Sequence, residues 1–405
     1  MRRTAYALTA MIFMASAAIG FHGGDRLRYP DERSYDALAR SIMSGGGYST
    51  PDGRPTAFRP PGWPMIMAGV YQLWPHPVAA KVFNAAAYAG AAALLSVLAA
   101  RIHPSARPLV PLLMLGYPLG LYSASTLYPQ TFGTLLLAAI LVLLWNRGGG
   151  IWHGIFAGIL LGALILTIPS FMLVVPLILA GAACAGPVRW RILLRQLLWV
   201  LVCAAAVLAP WMYRNERIFR RFVPVSTNGG LNLLLGNSEH ARPNSGVNVN
   251  ISAHLEGTEA MNEAERDEHL RRCALAWAAG NPGAWFKLYA RKVLNHFHYR
   301  NELYVQGEQT RFRNAVVMAT YYPLIALAAA GIIFHRRHPL SPTEIALHVL
   351  YFGNAFVAAI VFTRIRFRVP FDALLMVLVA AGVARLREAR ILSAHAMSHA
   401  VATAR

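Results

Sequence analysis

Acidic side chains are what this chain of 405 residues has least of. Eighteen Asp and Glu stand against 38 Lys and Arg, and charged residues make up only 14% of the whole. Soluble globular proteins carry about 25%, so an ordinary soluble domain is excluded. Cysteine is scarcer still. Cys184, Cys203 and Cys273 are the three present, two of them in apolar runs, which excludes a disulfide framework and a cysteine metal cluster. There is no P-loop, dinucleotide fingerprint, nucleophile elbow or CxxC pair, and no internal repeat. Chemistry that depends on those motifs has no basis here.

Hydrocarbon is what the chain has in abundance: 56% of residues are hydrophobic and the mean hydropathy is +0.41. Apolar runs of a length suited to a hydrocarbon core about 30 Å thick lie at 5–21, 78–100, 108–126, 130–146, 151–168, 170–186, 193–213, 315–335, 343–363 and 369–386. They predict an all-α polytopic membrane protein with about ten transmembrane helices and two outer loops, 22–77 and 214–313. Segment 5–21, behind Arg2 and Arg3, reads as a retained first span rather than a cleaved secretory signal, because the rest of the chain is membrane too. Either reading puts Asp25 onward outside the cytoplasm. The net charge of +20 matters by its placement rather than its sum in such a protein. The expected partner is the lipid bilayer and not nucleic acid.

With the N-terminus in the cytoplasm, the short inner connections carry Arg101 and Arg107, then Arg147, then Arg189, Arg191 and Arg195, then Arg336 and Arg337. A membrane domain over 1–386 is followed by a short cytoplasmic tail, 387–405, and Arg385, Arg387, Arg390 and Arg405 mark that side. This is the positive-inside pattern. Two groups break it. Arg364, Arg366 and Arg368 crowd the short outer turn TRIRFR, and Arg214, Arg217, Arg220 and Arg221 follow an outward-running span. Either the topology differs there or these arginines stay outside to hold an anion.

No Asp or Glu occurs from Gly53 through Asn215. Asp25, Asp31, Glu32, Asp36 and Asp52 fall in the first outer loop and ten more acids lie from Glu216 to Glu308, so fifteen of the eighteen face outward. Carboxylate-driven chemistry therefore belongs to the outer side. DERSYDALARSIM places Tyr35, Leu38, Ala39 and Ile42 on one helical face. Asp31 after Pro30 suits the N-cap, and Glu32 suits the first turn, where negative charge favours the helix dipole. Spacing leaves capping and catalysis both open.

Pro60, Pro61 and Pro64 forbid a continuous helix. The apolar stretch 65–74 then reads as interfacial or re-entrant, with Trp63 and Trp74 in the headgroup belt and Arg59 at its start, by itself no more than a snorkelling arginine. In the second loop Trp211 and Tyr213 read as interface anchors, and Asn228, Gly229 and Gly230 as a tight turn between short apolar runs. Two helices follow, one over about 259–279 and one with Asn281 as N-cap and Pro282 at its first position. The basic residues of the second, Lys287, Arg291 and Lys292, are expected near the membrane. His296 and His298 lack a carboxylate or cysteine at ligand spacing and read as interface histidines.

Four blocks run in order along nearly the whole chain: DERSYDALARSIMSGGGYS, RPTAFRPPGWPMIMAGVY, PWMYRNERIFRRFVPVSTNGGLNLLLGN and RFRVPFDALLMVLVAAG. Together they resemble the bacterial GT-C glycosyltransferases of family 39, relatives of protein O-mannosyltransferases and of the aminoarabinose transferases acting on lipid A. The resemblance implies a GT-C-type helical bundle in the bacterial inner membrane with its active site facing the periplasm. It implies a polyprenyl-phosphate-linked sugar as donor and inversion at the anomeric carbon. It matches Asp31 to the catalytic acid of the DE pair and Glu32 to its partner, both as catalytic residues. Arg59 matches the basic residue near the donor phosphate, and Arg366 and Arg368 the basic pair before the last span.

The chain departs from the pattern in three places. Gln130, in LYPQTF, stands where many relatives have an acid, so a second carboxylate and a divalent metal bound through it find no support; no metal or other cofactor is expected. TIPS lacks the arginine often found before this proline. The extra C-terminal domain of larger relatives is expected to be absent. The implied chemistry suits the residue types: arginine binds phosphate through paired N–H groups, and displacement with inversion needs one carboxylate as base, unlike a two-carboxylate hydrolase. The acceptor hydroxyl, on protein, lipid or glycan, stays open. Two other classes remain. A lipid-sugar flippase or transporter is disfavoured by the acid-free spans and the lack of repeated halves. A non-catalytic subunit of a polysaccharide assembly system would need no base at Asp31.

Overall fold

The structure, a computed structural model, describes residues 1–145, 150–185, 190–246, 248–300, 310–336 and 339–403, with side chains up to residue 391. Arg147, Arg189, Arg337, Arg405 and the acids Glu302 and Glu308 lie outside the described residues. Among those described there are sixteen α-helices, two short 3-10 turns and no strand beyond one isolated bridge between Ser49 and Pro55. Helix α1 (Arg2–Gly23) leads to the first of two segments, called outer after the side on which the sequence reading expects them, with α2 (Pro30–Met43) and α3 (Gly62–Leu73). Then come α4 (Pro77–Ile102), the short α5 (Leu109–Leu115) and α6 (Pro118–Ala124), and α7 (Gln130–Leu144), α8 (Ile151–Thr167), α9 (Phe171–Cys184) and α10 (Trp190–Phe219). A second outer segment holds α11 (Gly229–Gly236), α12 (Glu263–Gly280) and α13 (Pro282–His296). Helices α14 (Arg311–Ile333), α15 (Pro342–Ala359) and α16 (Ile365–Thr403) complete the bundle.

The about ten apolar runs appear as helices of unequal length. Five helices are long and apolar enough to cross a membrane: α1, α4, α10, α14 and α16 as far as Ile391. Helices α7, α8 and α9 are apolar but have only 15, 17 and 14 residues. Helix α15 has 18 residues but carries Glu344, His348 and Asn354. The run 108–126 is not one helix. Gly116 ends α5, and Tyr117 (φ −109°, ψ 89°) leaves helical geometry before Pro118 opens α6, as a residue before proline tends to do. Each piece has seven residues, about 10 Å of helix.

Alanine-rich α4 and the last helix α16 form the centre. The most apolar stretch of α16 is 78% buried and that of α4 61%, against 17% for α10 and α14. Small residues let neighbours approach closely, as membrane helices commonly require. On α8, Gly154, Gly158 and Gly162 face α10 so tightly that a Cβ at Gly158 would lie 2.5 Å from the Val200 carbonyl oxygen. The outer faces of α8 and α10 expose Trp152, Phe156, Leu194, Leu198 and Leu201, which suits contact with lipid.

Local expectations in the outer segments are corrected by burial. Trp63 is fully buried and its indole N–H donates to the Leu127 carbonyl at 2.7 Å. Trp211 is buried and donates to the Val225 carbonyl at 2.6 Å. Neither is a headgroup anchor, whereas Trp74 and Tyr213 are exposed. Gly229 and Gly230 open α11 rather than a turn. Gly230 is needed there because a Cβ would meet the Asp267 carbonyl oxygen of α12, and its N–H donates to the Asp267 carboxylate at 2.5 Å. Lys292, expected near the membrane, is buried; its ammonium donates to Asn237 Oδ1 at 2.9 Å and the Val361 carbonyl at 2.8 Å.

Candidate active site

Helix α2 starts at Pro30, with Tyr29 in the N-cap position. Of the two roles that spacing leaves open to Asp31, capping falls to Glu32 instead. One Glu32 oxygen accepts from the N–H groups of Arg28 (2.7 Å) and Tyr29 (3.0 Å), and the other from the N–H of Leu127 (2.9 Å). A carboxylate at the third helical position that reaches back over the helix start is a recurring device. Glu32 is 1% exposed, and both its oxygens are engaged by backbone. It joins α2 to the segment after α6 as an anchor, with neither oxygen free in this arrangement.

Freed from capping, Asp31 projects from the first turn of α2 into a cluster assembled from distant parts of the chain. Its Oδ1 accepts from Arg59 Nη2 at 2.6 Å, and its Oδ2 from Arg366 Nη1 at 2.6 Å and from the Tyr128 hydroxyl at 3.3 Å. Arg59 comes from the segment ahead of α3, where the Tyr48 hydroxyl donates to the Arg59 and Pro60 carbonyls at 2.9 and 3.1 Å. Its guanidinium lies over Tyr35 and Phe58. Arg366 stands in the first turn of α16, over Tyr128 and Phe367. The side chains of Asp31, Arg59 and Arg366 are 21%, 16% and 32% exposed, so the cluster is largely withdrawn from water without being sealed from it. Burial pushes the Asp31 carboxyl up, but the charges of Arg366 and Arg59 outweigh it and hold the group at about 2.

The three arginines of TRIRFR have three different partners. Arg364 donates through Nε to the Ser245 carbonyl at 3.0 Å; burial, and then the charge of Arg366, push it down to about 10, where it still carries its charge at neutral pH. Arg366 meets Asp31. Arg368 is fully buried and pairs with Asp372, one turn on, at 2.9 Å; it also donates to the His296 and His298 carbonyls at 2.8 and 3.1 Å and lies 3.6 Å from the Tyr321 ring centroid. The Tyr117 hydroxyl, placed by the break between α5 and α6, donates to Asp372 at 2.7 Å. Arg368, expected beside Arg366 at the phosphate, thus lies at the centre of an internal polar network.

Other expectations also move. Arg214 donates to the carbonyls of Thr56 (2.8 Å) and Tyr48 (2.9 Å) and stacks on Trp211, so it ties the outer segments together. His296 is buried rather than interfacial, its ring held neutral because burial, and then Arg368, push it down to about 3. Gln130 is buried at the start of α7. Among the described residues no group of three or more His, Cys, Asp or Glu side chains converges as a metal site would require, and both Asp31 oxygens already meet guanidiniums. A divalent cation does not fit this donor set. Tyr128 was missed in the sequence, although it stands in LYPQTF two residues before Gln130; an aromatic in an apolar block carries no signal that a carboxylate lies opposite.

No protein-family model matches the chain, and no curated protein matches it in sequence. Among solved structures, the fold is similar to that of ArnT from Cupriavidus metallidurans bound to undecaprenyl phosphate, with a TM-score of 0.55, 14% identity, and coverage of 93% of this chain and 59% of that one. ArnT in the apo state aligns at a TM-score of 0.45 and 14% identity, over 93% of this chain and 76% of that one. This chain thus spans 59% of the length of the lipid-bound ArnT chain it matches, and the likeness is one of fold: a multispan helical membrane protein.

Proposed function

We propose that this protein is an inverting glycosyltransferase that moves a sugar from a polyprenyl-phosphate donor to a hydroxyl at the outer face of the membrane. The observation that carries the reading is the Arg59–Asp31–Arg366 cluster. It brings one carboxylate between two guanidiniums from opposite ends of the chain, all three partly exposed, and the balance of charge favours an anion. The fold likeness to a protein solved with undecaprenyl phosphate supports a lipid phosphate as that anion, and the family-39 resemblance of the sequence blocks supports a sugar on it.

The chemistry then follows from the residue types. Arg59 and Arg366 bind the phosphate and stabilise the charge that grows on it as it departs, the kind of preorganised electrostatics that dominates many enzymes. Asp31 accepts the proton of the acceptor hydroxyl. The acceptor oxygen bonds to the anomeric carbon as the bond from that carbon to the phosphate oxygen breaks. The bonding pair leaves with the phosphate, which becomes a polyprenyl phosphate monoester, and the anomeric configuration inverts.

Purified protein incubated with labelled polyprenyl-phosphate sugar tests this. Asp31→Asn is expected to abolish sugar transfer while the variant still accumulates in the membrane. Full activity in Asp31→Asn removes the base assignment. Translocation of the donor without transfer would replace the enzyme by a flippase, and neither outcome would leave a non-catalytic subunit.

A further inference from the structure

Asp31 lies across both guanidiniums that the proposed reading gives to the donor phosphate. Each of its oxygens accepts from a different arginine at 2.6 Å. A tetrahedral phosphate would meet the same two groups in the same way, one oxygen to each. The guanidiniums have support of their own. Arg59 lies 5.5 and 5.2 Å from the ring centroids of Tyr35 and Phe58, and Arg366 5.0 Å from those of Tyr128 and Phe367. Arg364 brings a third positive charge close by and is held by a backbone carbonyl. One carboxylate among three arginines leaves the site positively charged, with room in its electrostatics for a further anion.

The same geometry makes Asp31 a poor base. A carboxylate stabilised on both oxygens has little affinity for a proton, yet a general base must take one as the acceptor attacks. The arrangement seen and the arrangement that reacts must therefore be two states of the same side chains. We propose that Asp31 is an internal stand-in for the donor phosphate: the incoming phosphate takes Arg59 and Arg366 from it, and the displaced carboxylate becomes competent to accept the proton. The idea rests on the reading of this cluster as the donor site and adds an order to it. The base is weak until the donor arrives. After transfer, Asp31 is protonated and the product phosphate holds the arginines. Loss of that proton to water regenerates the anion that competes for them and helps release the product.

The test uses the full purified chain in lipid nanodiscs, with undecaprenyl phosphate as the probe and undecaprenol as the uncharged control. Asp31→Asn and Asp31→Ala are expected to bind undecaprenyl phosphate about tenfold to a hundredfold more tightly than the wild type. A tenfold to hundredfold change is about 1.4–2.8 kcal/mol, the worth of a hydrogen bond to a charged group. Binding of undecaprenol should not change. Equal or weaker binding of the phosphate by both variants overturns the stand-in.

The wild type supplies a second measurement that does not depend on a variant folding. The acid limb of kcat/KM for the donor reports the donor-free enzyme and that of kcat the donor complex. The kcat limb is expected at least about one pH unit higher; coincident limbs overturn the proposal. The failures are separable. A variant that binds more tightly and still transfers sugar sinks the base and keeps the stand-in. One that binds no more tightly and is inactive sinks the stand-in and keeps the base. Unchanged phosphate binding in Arg59→Ala and Arg366→Ala sinks the donor site and the stand-in with it.

Discussion

Arg366 and Arg368 stand two residues apart on α16, which turns them about 200° from each other around the helix, and their surroundings differ accordingly. Arg366 reaches outward to a carboxylate 335 residues away in sequence, in a pair that is partly exposed. Asp31 keeps Arg59 as a partner when Arg366 is removed, so Arg366→Ala should melt much closer to the wild type than Arg368→Ala does, while weakening use of the lipid-linked donor. Arg368 is fully buried against Asp372. Removing one partner of a buried pair leaves an uncompensated charge and costs about 3–5 kcal/mol, so Arg368→Ala should accumulate poorly and melt many degrees lower. Melting curves and donor titrations of the two purified variants check this contrast. If Arg368→Ala is stable and defective only in donor use, Arg368 belongs in the phosphate site after all. The pairing of Arg368 with Asp372 was readable from their spacing of four on one helix. The pairing of Arg366 with Asp31 was not: only the family resemblance brought those two residues into one site, because no local pattern records a contact across the whole chain.

At the scale of elements, apolar composition fixed which segments enter the bundle, but close packing fixed how they lie, and the two were unequally legible. Hydropathy marks a run such as 108–126 as a span. It does not register that Gly116, Tyr117 and Pro118 break the run so that the Tyr117 hydroxyl can reach Asp372. Asn228, Gly229 and Gly230 carry turn chemistry, yet glycine serves there to let α11 approach α12, a demand that exists only once the two helices are side by side. The glycines of α8 at 154, 158 and 162 recur every four residues and so share a face. At Gly158 a Cβ would come within 2.5 Å of the Val200 carbonyl, an immobile backbone atom. Gly158→Val should therefore force α8 from α10 and cost at least about 1–3 kcal/mol, lowering the melting temperature and the yield of folded protein. Gly69→Ala on α3, where a Cβ has nothing within 4 Å, is the matched control and should be neutral or slightly stabilising. Equal behaviour of the two variants would mean that α8 and α10 are not held at backbone contact.

The candidate site belongs to the whole molecule rather than to any one layer of it: Asp31 and Arg59 come from the first outer segment, Arg366 from the head of the central helix. What registers these parts is a clasp between the two outer segments. Glu263, at the start of α12, accepts from the Thr56 hydroxyl at 2.7 Å, the Ala57 N–H at 2.9 Å and the Thr227 hydroxyl at 3.0 Å. Beside it the Thr227 N–H donates to the Ala57 carbonyl at 2.9 Å. Ala57 is two residues from Arg59, and the chain between them has little freedom because Pro60 and Pro61 follow directly. A carboxylate more than 200 residues away in sequence thus determines where the Arg59 guanidinium can lie. Glu263→Ala leaves an N–H and two hydroxyls without their acceptor, at a local cost of about 1–3 kcal/mol. The central packing of α4 and α16 lies elsewhere, so the bundle should melt almost as before. Amide exchange over residues 56–58 should quicken by about tenfold or more, and the KM for the donor should rise. Glu268→Ala, which removes exposed pairs with Arg271 and Arg272 on the same helix, should do neither. If Glu263→Ala exchanges no faster at Ala57 and uses donor as the wild type does, the register of Arg59 is set within its own segment, and the second outer segment has no part in building the site.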